Sequence, residues 1–85
     1  MWYFYVLQSI SKDNYFYKGS TGDLRRRFAE HNAGETDSIR PYLPLRLVYY
    51  EAYVTEKAAR HREKSVKRSG AVWGALMSRV KNSLR

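Results

Sequence analysis

Eighty-five residues with no cysteine, 44% hydrophobic side chains and a net charge of +8 point to one small domain, residues 1–85, with a modest core. That composition excludes a disulfide scaffold and a thiolate metal site. No apolar run approaches the roughly 18 residues needed to cross a membrane, and the N-terminal WYFYVLQSI lacks the basic start of a signal peptide, so a cytoplasmic protein is expected.

The first predicted element is a strand over Trp2 to Ser9, a run of aromatic and β-branched residues with Tyr3, Tyr5 and Leu7 on one face and Trp2, Phe4 and Val6 on the other. Both faces are apolar, which predicts a central position in the sheet. Ser11-Lys12-Asp13-Asn14 is turn chemistry, making Tyr15 to Gly19 the returning arm of an antiparallel hairpin. Tyr15 and Tyr17 then share one face, Phe16 and Lys18 the other. If the register aligns the faces, Tyr5 and Tyr17 are neighbours, either as a packing pair or as part of a site.

Gly19-Ser20-Thr21-Gly22 ends that strand, and Thr21 or Asp23 can cap a helix that runs to the stop at Ala33-Gly34. At about 100° per residue, Leu24, Arg27, Phe28 and His31 form one stripe, Arg25 flanks it and Arg26 points away. A packing stripe edged by a cation and an imidazole suits an anion site. Glu35 to Pro44 reads as a mobile polar loop, and Leu45 to Tyr53 as a third strand in which Leu45, Leu47, Tyr49 and Glu51 alternate with Arg46, Val48, Tyr50 and Ala52.

Thr55 caps a second helix to about Arg68, stopped by Ser69-Gly70, whose docking face carries Ala59, Glu63 and Val66. Glu63 there is either the partner of Lys67 or a metal ligand. A last helix over Ala71 to Leu84 places Val72, Leu76 and Val80, with Trp73 and Met77 alongside, on the core. Charge is uneven along the chain: residues 1–54 carry +1, and residues 55–85, with nine Lys or Arg against two Glu, carry +7. A concentrated basic pole is the footprint of a nucleic-acid binder, or of a helical face that keeps the protein soluble.

Phosphodiester hydrolysis needs a base for water, a cation for the phosphate oxygens and usually a metal for the leaving oxygen. Two tyrosines, Arg27, His31 and Glu63 supply those groups. The sequence resembles the GIY-YIG nuclease domain family, in particular its small single-domain bacterial members, over residues 2 to about 68. Tyr3-Phe4-Tyr5 resembles the first signature and Tyr17-Lys18-Gly19 the second. Arg27 follows Tyr17 by ten positions as the family's arginine does, His31 follows by four more, and Glu63 is similar to the metal-binding glutamate. Tyr3 stands in place of a glycine, Lys18 in place of an apolar residue, and Ser20 where some members have a lysine.

The resemblance implies an α+β fold, a small three-stranded antiparallel sheet flanked by about three helices. It implies a metal-dependent endonuclease acting on DNA, structure-selective or weakly sequence-selective. Glu63 would hold Mg²⁺ or Mn²⁺, Arg27 would bind the scissile phosphate, Tyr5 or Tyr17 would take the water's proton, and His31 would bond to a tyrosine hydroxyl or to the phosphate. Lys18, Arg25, Arg26, Arg62, Lys64, Lys67 and Arg68 are expected against nucleic acid. The alternative is a module of the same fold that binds nucleic acid without cleaving it.

Overall fold

The structure is a computed structural model, and it describes residues 1–84. Three strands, β1 (Trp2–Ser9), β2 (Phe16–Thr21) and β3 (Leu45–Tyr53), form an antiparallel sheet in the order β2-β1-β3. Helix α1 (Leu24–Asn32) follows β2. A 3-10 segment (Asp37–Tyr42) precedes β3, and α2 (Glu56–Arg68) and α3 (Gly70–Ser83) close the chain. The fold is α+β, as expected, and β1 is central because both of its faces are apolar.

Short polar side chains set the helix boundaries. Asp23 accepts from the Arg26 amide at 3.1 Å, Thr55 from Ala58 at 3.1 Å and Ser69 from Val72 at 3.2 Å, each satisfying an otherwise unpaired amide of a first turn. Ser69 also ends α2, so the two C-terminal helices meet at a single residue.

The helices divide between the sheet faces. On one, Phe4 and Val6 pack against Val66 of α2 and Leu76, Met77 and Val80 of α3. On the other, Tyr5 and Leu7 join Ile39 and Leu45, with Leu24 and Phe28 of α1 packed beside them.

Three expectations need correcting. The second strand is Phe16–Thr21 rather than Tyr15 to Gly19, because Ser20 and Thr21 continue the ladder opposite Phe4 and Tyr3. The segment expected to be a mobile loop is anchored: Ile39 is fully buried, the Ser9 hydroxyl donates to the Tyr42 carbonyl at 2.7 Å, and the Asn32 amide pairs with both backbone groups of Leu45. A lone isoleucine among polar residues carries too little periodicity to announce such an anchor. Finally, strict alternation fails in β3. Val6 pairs with Tyr49 but Leu7 with Leu47, and the bulge puts Leu45 and Leu47 on the Tyr5 face while Tyr49, Glu51 and Tyr53 take the Phe4 face.

Candidate active site

The site begins at Tyr5, which is 1% exposed and whose hydroxyl bonds to His31 Nε2 at 2.8 Å. His31 is fully buried in the last turn of α1, and its other ring nitrogen meets the Thr36 hydroxyl at 3.2 Å. Tyr17 completes the cluster from the neighbouring strand, its ring edge-on to His31 at 4.8 Å and tilted against Tyr5 at 6.4 Å. The two tyrosines are diagonal neighbours, since Tyr5 pairs directly with Gly19 and Tyr17 with Leu7.

Gly19 is what lets the Tyr5 side chain cross the edge strand. A Cβ at that position would sit 2.6 Å from the Tyr5 hydroxyl oxygen and 2.8 Å from Cζ, well inside contact distance. Its role was not drawn from the sequence, where it served only as a strand terminator. The available signal was a lone glycine ahead of two residues that still carry strand pairing.

Arg27 lies beside the Tyr5 hydroxyl on the flank of α1 and is held by Glu30, with Nη1 to Oε1 at 3.2 Å. Arg26 also reaches Glu30, at 3.2 Å, but its side chain is far more exposed. The helical wheel thus separates the two arginines correctly, although both share one carboxylate. Burial pushes the Tyr5 phenol up, the Tyr17 ring adds to the effect and Arg27 opposes it, so Tyr5 is protonated in the free protein. Burial, then the Arg27 charge, lowers His31, so the imidazole is neutral.

Glu63 approaches from the other side of the sheet, around the β2 edge. Ser20, the residue after Gly19, donates its hydroxyl to Glu63 Oε1 at 2.5 Å, and Lys67 Nζ lies 2.6 Å from Oε2. Burial raises the Glu63 carboxyl, but these two bonds outweigh it and hold it below the usual range. Its charge still acts on Tyr5 across the edge strand. The pair with Lys67 expected of the helix is present; the Ser20 bond that ties α2 to β2 was missed, because nothing in the spacing links positions 43 residues apart.

The profile of the GIY-YIG catalytic domain matches residues 1–71. The chain belongs to the GIY-YIG family. Among its relatives, a UPF0213 protein of Streptococcus pyogenes serotype M3 is 43% identical over 58 residues, 67% of this chain and 61% of the relative. A UPF0213 protein of Haloquadratum walsbyi is 41% identical over 66 residues, 76% of this chain and 74% of the relative. The chain thus spans about three fifths of the length of the streptococcal relatives. No solved structure matches.

Within the GIY-YIG fold the expected nucleic-acid contacts are dispersed. Arg25, Lys64 and Arg68 are exposed, on α1 and α2. Lys67 is occupied by Glu63, and Lys18 lies over the Trp73 ring, 4.1 Å from its centroid, on the Phe4 side of the sheet. Arg62 is turned inward. It forks onto Glu51 at 3.0 and 3.1 Å, and the hydroxyls of Tyr49 and Tyr53 donate to the same carboxylate. An arginine so paired is withdrawn from phosphates, and the reason is the β3 bulge, which brings Glu51 to face α2.

Among the described residues there is no group of three or more His, Cys, Asp or Glu that could hold a metal ion, and no helix is long and apolar enough to cross a membrane. Glu63 alone offers a hard anionic oxygen donor. One carboxylate would leave a cation most of its water shell and room for phosphate oxygens, which fits Mg²⁺ or Mn²⁺, and Lys67 holds Oε2 in this structure.

Proposed function

We propose that this chain is a divalent-metal-dependent endonuclease that hydrolyses phosphodiester bonds in DNA. The observation that carries the reading is the convergence of Tyr5, Tyr17, Arg27, His31 and Glu63 on one strand edge, with Gly19 and Ser20 forming the passage between them. Each side chain has chemistry to perform there. Arg27, half-exposed and fixed by Glu30, neutralises the non-bridging oxygens of the scissile phosphate as charge grows on them. Glu63 would hold the ion, which when bound supplies stabilisation of charge on the leaving oxygen.

The water's proton goes to the Tyr5–His31 pair. A phenol that remains protonated cannot accept a proton unless it gives its own away, and neutral His31 Nε2, 2.8 Å from the hydroxyl, is the acceptor in place. Tyr5 therefore relays rather than stores the proton. Tyr17 lies against both rings and shields the relay from solvent.

The test is a cleavage assay over duplex, single-stranded, flap and branched DNA, with Mg²⁺ or Mn²⁺ and with chelator. Glu63→Gln keeps the shape and the acceptor for Ser20 but removes the charge, so nucleic-acid binding should be nearly unchanged and cleavage abolished. Full activity in that variant would return Glu63 to the role of helix-surface partner of Lys67. Binding without cleavage of any substrate by the unmodified protein would leave a binding module of the same fold.

A further inference from the structure

The Tyr5 face of the sheet is only partly covered. Helix α1 packs Leu24 and Phe28 on this face and the 3-10 segment covers Leu45, but a cleft of 480 Å³ opens between α1 and β3. Its walls include Tyr3, Leu24, Arg25, Phe28, Leu47 and Tyr50. Tyr50 is 55% exposed and Leu47 37%, and Tyr3 meets Tyr50 edge-to-face at 6.0 Å, which leaves a face of the outer ring free.

From this we infer that the cleft is a base-stacking subsite, which seats one unpaired nucleobase of the DNA strand against Tyr50 and Tyr3. Three observations select this occupant. The cleft neighbours the catalytic cluster along β1, since Tyr3 precedes Tyr5 by two residues on the same strand face, roughly 7 Å along the strand. Leu24 and Phe28 form its floor, on the helix that also presents Arg27 and His31, so a strand bound at Arg27 reaches the cleft by crossing the N-terminal end of α1.

The rim carries one cation and one anion. Arg25 has no ion-pair partner among the described residues and is free to take the adjoining phosphate; Asp23, which also lines the cleft, directs one carboxylate oxygen to capping α1 and keeps its charge. The lining combines apolar side chains, two tyrosine rings, the Arg25 guanidinium and the Asp23 carboxylate. That mixture matches the stacking platforms used for single strands, whose bases offer open π-faces. A base inside a continuous duplex has both faces stacked and cannot enter. The inference rests on the nuclease reading and deepens it: the substrate is DNA carrying an unpaired nucleotide next to the cleaved bond.

The experiment measures binding in chelator, so that cleavage plays no part, using a single-stranded oligonucleotide that carries 2-aminopurine and a blunt duplex of the same sequence. Stacking should quench the fluorescence of the analogue. Tyr50→Ala, at an exposed position where the fold is not at stake, should lose the quenching and weaken single-strand binding about fivefold to a hundredfold, with duplex binding unchanged. Tyr50→Phe should behave as the unmodified protein. Unchanged single-strand affinity in Tyr50→Ala, equal losses on both DNAs, or a dimer that dissociates on the substitution would each overturn the inference, the last by showing that a second copy covers the cleft. The two readings fail separately. Quenching without cleavage of any substrate in Mg²⁺ would defeat the nuclease reading alone, and Glu63-dependent cleavage indifferent to Tyr50 would defeat the subsite alone.

Discussion

The two faces of this sheet are built from the same central strand and solve opposite problems. Below it, Phe4 and Val6 meet Val66, Leu76, Met77 and Val80, and the polar groups of this face, Glu51 with Arg62, Tyr49 and Tyr53, gather outside that buried cluster. Above it, Tyr5 and Leu7 share their layer with a fully buried imidazole and a second tyrosine, and among the described residues every buried polar side-chain atom has a partner. The difference teaches where each property is kept. The buried cluster of the lower face gains stability from area removed from water, which is indifferent to direction. The upper face uses hydrogen bonds whose net contribution is small but whose geometry is specific.

Substitutions can break or sharpen that contrast. The largest effect should come from Phe4→Ala, which removes a fully buried ring from the lower face and should cost about 3–5 kcal/mol of stability, read from the urea midpoint. Cleavage per folded molecule should be unchanged. A loss of turnover in the fraction that remains folded would mean that the two faces are not independent.

Next in size is Arg27→Ala, which should slow single-turnover cleavage at saturating protein by about a hundredfold or more, with a small effect on the urea midpoint. Arg26→Ala should cost little beyond general affinity, because its side chain is directed to solvent. Arg25→Ala should fall between them. Equal losses at Arg26 and Arg27 would turn the cluster into an undifferentiated basic patch and remove the catalytic role assigned to this face.

The smallest effect is a pH dependence near neutrality that belongs to the upper face. His31 has its pKa lowered in the folded state, from an unperturbed 6.5, by burial and then by Arg27. The unfolded chain therefore binds the proton first, so stability is full above 6.5 and falls as pH drops through that value toward the folded pKa. Urea midpoints at pH 7.5 and 5.5 should differ in the unmodified protein, and the difference should shrink in His31→Gln. The carboxyls of Glu51 and Glu63, held below the usual range, contribute their own loss only at lower pH. A His31→Gln variant with an unaltered slope would show that the buried imidazole is not the group responsible.

Much of this arrangement was legible from the sequence, for identifiable reasons. Helical spacing alone put Leu24, Arg27, Phe28 and His31 on one stripe, because nine residues of a capped helix leave little freedom in where each side chain points. Period-two alternation assigned both faces of β1 correctly. It failed in β3, where one extra residue at the bulge changes the face of everything before it, and a bulge depends on pairing with another strand rather than on local composition. Arg62 illustrates the cost of that failure. Counted among the phosphate-binding cations by its charge, it is bound to a glutamate that only the bulge brings to it. The Ser20–Glu63 bond and the burial of Ile39 were invisible for the same reason: each depends on tertiary proximity between segments that show no pattern of their own.

Gly19 has a consequence for how such chains can change over time. The empty volume at this residue is the imprint of the Tyr5 side chain, and the ring carbon Cζ fills it as fully as the hydroxyl does. Replacing Tyr5 by phenylalanine would remove the hydroxyl of the proposed relay yet leave Cζ 2.8 Å from a side chain at position 19; only a smaller residue at position 5 releases it. A descendant that has given up catalysis and drifted would thus be recognised by paired change, a side chain appearing at 19 only after the ring at 5 has gone. The two halves of the signature, fourteen residues apart in the chain, would then decay as a single character.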